Sequence, residues 1–140
     1  MKPNIDYIYV PKADINEGIS SGTITKAALY FTKEYLFVLP FESLLVLLAT
    51  TETRFNNIKE YVTDLNKQLP DLDTPSFHNL LLSMLKEERI YKISELEKFS
   101  IQVGVWIFGG MRLKKKGGPL QSINIQPKAL REQLKMFYSL

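Results

Sequence analysis

The chain of 140 residues contains no cysteine, one histidine and one tryptophan. Without cysteine there can be no disulfide, no thiolate metal ligand and no cysteine nucleophile. His78 has only Asp71 and Asp73 loosely nearby in sequence, which does not make a transition-metal set. Those two aspartates also lack the companions of a calcium loop. Gly109-Gly110 and Gly117-Gly118 match neither a phosphate loop nor a dinucleotide fingerprint, and no serine sits in a nucleophile elbow. The expectation is a chain with no cofactor, no metal and no enzymatic activity. Long apolar stretches are missing too. The longest, Leu44 to Ala49, falls far short of the ~20 residues that cross a bilayer. Met1 to Asp6 has no apolar run after its charge, so no secretory signal is expected. A cytoplasmic location, at most peripheral to a membrane, follows as the expectation.

What is present is ordinary in amount and uneven in placement. Hydrophobic residues make up 45% and charged residues 24%, enough for one domain to bury a core without staples. The formal net charge is +3. Residues 1–70 carry 7 basic and 8 acidic side chains, and residues 71–140 carry 11 and 7. From Lys98 onward eight basic residues face Glu132 alone. Such an imbalance suits either an anionic partner or a solvated rim. It is thin for nucleic acid, which is not an expected partner.

Local patterns give an order of elements. Ile5 to Val10 reads as a strand that stops at Pro11, followed by a loop over 12–21. Thr23 to Thr32 and Tyr35 to Leu39 form a hairpin across Lys33-Glu34. Residues 41–49 fit a buried strand or the lead-in to a helix. Phe55, Ile58, Val62, Leu65 and Leu69 form one helical stripe that ends at Pro70. Thr74 then caps a second helix, with Pro75 at its first position and Phe77, Leu80, Leu81, Met84 and Leu85 as its apolar face. The short link between the two helices predicts a helical hairpin. On this face His78 lies opposite Phe77, Leu81 and Leu85, so it is expected to be exposed.

Strands resume at Ile90 to Ile93, and Ser94 to Lys98 reads as a turn. Phe99 to Leu113 follows as one or two strands, and Leu120 to Gln126 as a return arm. Pro127 opens a final helix to Ser139. Its stripe is Leu130, Leu134, Phe137 and Tyr138, with Lys128, Arg131, Glu132 and Lys135 off it.

This layout resembles a pleckstrin-homology-like domain of the GRAM or bacterial type. The residues that carry the likeness are Gly22 to Pro40, Ile90 to Phe99, the Trp106–Lys116 arm, Leu120 to Gln126 and the final helix. The resemblance implies an α+β fold over 1–140: a bent antiparallel sheet or partly open barrel, capped by the C-terminal helix, with residues 52–88 as an inserted helical hairpin. It also implies a binding role. Phosphoinositide-binding members carry several basic residues on the loop between the first two strands. Here Lys12 stands alone against Asp14 and Glu17, so that site does not carry over.

Arg112, Lys114, Lys115 and Lys116, beside Gly117-Gly118, are the candidate anion or lipid site. If extended, Arg112, Lys114 and Lys116 share one face and Lys115 takes the other. Near an anionic membrane each would contribute ~1 kcal/mol. The competing role is a solubilising turn that protects a sheet edge. Trp106 and Phe108 suit a contact surface beside that turn, but packing beneath the last helix is the expectation for large aromatics. The functional expectation is a non-catalytic binding module that engages another protein or itself, as a homo-oligomer, through the helical hairpin and a sheet edge. The alternative is peripheral binding to anionic lipid headgroups through 112–118.

Overall fold

The computed structural model describes residues 1–16, 24–41 and 57–140. Phe55, Thr23 and most of the ambiguous segment 41–49 lie outside them, as do residues 17–21 of the expected loop 12–21 and residues 52–56 of the expected insertion 52–88. Seven strands form one antiparallel sheet: β1 (Ile8–Asn16), β2 (Ile24–Phe31), β3 (Tyr35–Pro40), β4 (Ile90–Lys92), β5 (Leu96–Val105), β6 (Phe108–Lys115) and β7 (Leu120–Ile125). The order across the sheet is β4-β3-β2-β1-β7-β6-β5, and among the described residues the sheet is not closed. Among the described residues three α-helices accompany it: α1 (Ile58–Gln68), α2 (Thr74–Met84) and α3 (Lys128–Phe137). The fold is therefore α+β.

The sheet has a buried layer on each face. On one side Val10, Ile15, Leu29, Phe31, Leu36, Val38, Met111, Leu113, Ile123 and Ile125 pack with Leu134 and Phe137 of α3. On the other side Ala28, Tyr30, Phe37 and Leu39 pack with Ile58, Val62, Leu65 and Leu69 from α1 and its end, and with Phe77 and Leu81 of α2. This double burial explains why β2 and β3 are apolar at nearly every position rather than alternating. The described members of both expected stripes, Ile58, Val62, Leu65 and Leu69 and then Phe77, Leu80, Leu81, Met84 and Leu85, pack on this side, so those apolar faces are already used.

Three element boundaries differ from expectation. β1 does not stop at Pro11. A bulge between Val10 and Ala13 accommodates the proline, and Ala13 to Asn16 continue by pairing with both β2 and β7. Ile5 lies outside the strand and is exposed. The cap of α2 is Asp73, whose carboxylate accepts from the Ser76 amide at 2.7 Å; Thr74 is the first helical residue. The expected turn 94–98 is shorter, because β5 begins at Leu96.

Candidate functional site

The basic turn and the aromatic arm stand at opposite ends of β6. With seven rises of about 3.4 Å, Phe108 and Lys115 are about 24 Å apart. The structure does not bring these two sequence features together.

At the basic end the four candidates have different surroundings. Met111 and Leu113 point into the core, so Arg112 and Lys114 share the other face of β6. In register Lys114 stands opposite Lys98, an unfavourable like-charge pair. A bulge between Leu96 and Lys98 adds Glu97, whose carboxylate takes the Lys114 ammonium. That hydrogen bond holds the Glu97 carboxyl below its usual range. Lys115 turns to the core side. Its ammonium lies 4.6 Å from the centre of the Tyr91 ring and donates to the Glu87 carbonyl at 3.0 Å. Burial lowers its pKa, while Glu87 and Glu88 pull the other way. Lys116 lies past the end of the strand rather than on the face of Arg112 and Lys114. Arg112 is exposed and pairs with no carboxylate among the described residues. Lys115 and Lys116 also line a cleft of about 720 Å³ with Lys92, Glu87 and Glu95, so the cleft carries both signs of charge.

At the other end, the β5–β6 hairpin turns through Trp106 and Ile107, with Val105 opposite Phe108. Trp106 is not packed beneath the last helix. It is 80% exposed, Val105 and Phe108 are each 67% exposed, and Ile107 is 53% exposed. Trp106 also has φ 58°, in the left-handed region that costs a side chain about 1–2 kcal/mol. The reason for this geometry lies behind the turn.

Arg131, expected on the solvent side of α3, is fully buried. Its Nε donates to the Val103 carbonyl at 2.6 Å. One terminal nitrogen donates to the carbonyls of Ile125 at 2.8 Å and of the Gln126 side chain at 3.2 Å, and the other donates to the Trp106 carbonyl at 2.6 Å. The Gln126 amide donates to the Ile107 carbonyl at 2.8 Å. Two side chains thus hold three backbone carbonyls of the hairpin from behind. A buried cation is tolerable only with such hydrogen bonding. All four acceptors are uncharged, and no carboxylate pairs with Arg131 among the described residues.

Two glycines make room for this brace. A Cβ on Gly109 would sit 2.4 Å from Arg131 Nε, and one on Gly104, at φ +60°, would sit 1.5 Å from the Phe108 carbonyl oxygen. The spacing Arg131–Leu134–Tyr138 is a signal for this burial, since steps of 3 and 4 place Arg131 on the line of the apolar residues.

His78 is also buried, not exposed. Its Nε2 lies 2.7 Å from Thr32 Oγ1, and its ring stacks edge-on against Tyr35 at 4.9 Å. Desolvation lowers its pKa, opposed by the charge of Glu34. The arrangement is that of a core histidine bridging α2 to the β2–β3 turn. Among the described residues no group of three His, Cys, Asp or Glu side chains could hold a metal. No helix among them is long and apolar enough to cross a membrane. A second cleft, of about 630 Å³, gathers Lys12, Lys26 and Lys59 from β1, β2 and α1.

No protein-family model, curated protein or solved structure matches this chain.

Proposed function

We propose that this chain is a non-catalytic binding module on a pleckstrin-homology-like scaffold, and that it makes its contact through the hairpin tip Val105–Phe108. An open seven-stranded antiparallel sheet, covered on one face by the last helix, fits the scaffold suggested by the sequence. The helices between β3 and β4 fit an insertion. The observation that carries the reading is the tip itself: four consecutive apolar side chains held out in solvent on a braced turn. Consecutive exposed apolar residues add nothing to the core and promote sticking, so a tip built of them fits a contact surface.

The helical pair is a weaker candidate for the contact, because its apolar side packs on the sheet. Anionic lipid binding through 112–118 also has less support, since Lys114 is paired with Glu97 and Lys115 lies against Tyr91. The test compares the chain with a Trp106→Ser/Phe108→Ser variant by size fractionation of gently lysed producing cells. The unmodified chain should run well above its 16.2 kDa and the variant at its own mass. Identical fractionation of the two would defeat the reading.

A further inference from the structure

We infer that the surface receiving this tip is the interface of an anionic lipid bilayer, with Trp106 and Phe108 inserted at headgroup depth; the inference rests on the tip being the contact site. Three observations point there.

The first is charge. The guanidinium of Arg131 sits one hydrogen bond behind Trp106 with only neutral oxygens around it. On α3 the exposed Lys128 lies 3.8 Å from Glu132 and that pair cancels, which leaves the buried charge of Arg131 as the one behind the tip. Among the described residues no carboxylate pairs with Arg131, and an anionic surface brought against the tip supplies that counter-charge.

The second is area. At 150–250 Å² per large side chain, the four exposed residues offer roughly 500 Å². A stable protein interface needs about 800 Å² on each partner. The tip falls short as a protein interface, whereas interfacial insertion needs no minimum footprint.

The third is shape. A two-residue turn is convex, and a protein partner would need a matching pocket, while lipid closes around any shape. Tryptophan and phenylalanine are also suited to headgroup depth.

Trp106 is the chain's sole tryptophan, so its emission reports directly on the tip. The experiment titrates the full chain with vesicles of phosphatidylcholine alone and of phosphatidylcholine with phosphatidylserine. In parallel it follows emission against protein concentration without lipid. The expected result is a blue shift and protection from aqueous quencher on the anionic vesicles, far weaker on the neutral ones. Phe108→Ser should weaken binding about tenfold or more, while Arg112→Ala/Lys114→Ala/Lys116→Ala should leave the Trp106 shift in place. Equal binding to both vesicle types, or loss of binding in the triple variant with Phe108→Ser unaffected, would overturn the inference. A shift that depends on protein concentration but not on lipid would also overturn it, yet leave the tip standing as the contact site. Emission unchanged under every condition would overturn the inference, and the fractionation comparison alone would then decide whether the tip is the contact site.

Discussion

The two turns of the β5–β6–β7 meander share strand β6 and meet solvent by opposite means. At Lys114–Gly118 the side chains are charged, and their charge is partly satisfied nearby by Glu97 and by the Tyr91 ring. At Val105–Phe108 the side chains are apolar and exposed, and the polar groups that support them lie underneath, in Arg131 and Gln126. The basic turn has the features of an ordinary soluble hairpin: side chains that water tolerates, on a backbone that needs no outside help. The apolar tip has the reverse, a backbone fixed by long-range hydrogen bonds and side chains that water does not favour. Local charge is therefore a poor guide to which turn is specialised. Where the supporting hydrogen bonds go is a better one.

The contrast can be broken most severely at Arg131. Arg131→Leu leaves the carbonyls of Val103, Trp106 and Ile125 short of a donor and should cost about 4 kcal/mol, read from the urea midpoint. A cost under 1 kcal/mol would mean the brace is dispensable. Gly104→Val comes next, because its Cβ would meet the Phe108 carbonyl oxygen in a left-handed backbone. About 3 kcal/mol should be lost, with the β5–β6 amide resonances moving most. Trp106→Gly should act in the opposite direction and stabilise by about 0.5–1 kcal/mol, since glycine adopts φ 58° without strain. A destabilised Trp106→Gly protein would show that the indole packs on the fold after all. Lys114→Ala is the smallest change and should move the melting temperature by no more than about 1 °C.

Much of the fold is visible in local pattern. The β2–β3 hairpin, the stripes of α1 and α2, the β6–β7 turn and the last helix all follow from periodicity and turn residues. The rest depends on partners distant in sequence. β1 continues beyond Pro11 because β7, more than a hundred residues later, pairs with Ala13 to Asn16. His78 looks solvent-facing when α2 is judged by its strongest apolar residues, yet the Thr32 hydroxyl gives it a buried partner. Arg131 looks like surface charge until carbonyls of the β5–β6 hairpin and of the end of β7 converge on it. Trp106 shows the same limit in reverse. Aromatic character suggests burial, but a turn braced from below has no core to offer it. Of the candidate basic site, the sequence gives the residues, and the structure divides them between two faces of one strand and a turn.

Tyr30 and Phe31 are neighbours on β2, and both are fully buried, in different layers. β2 and β3 are thus a partition with a room on either side. Neither room can be emptied without exposing a wall the other depends on. The helices between β3 and β4 and the C-terminal helix never need to touch for each to sense the loss of the other. The slowest-exchanging backbone amides of the whole chain should lie in this pair of strands, and the two layers should melt in one transition.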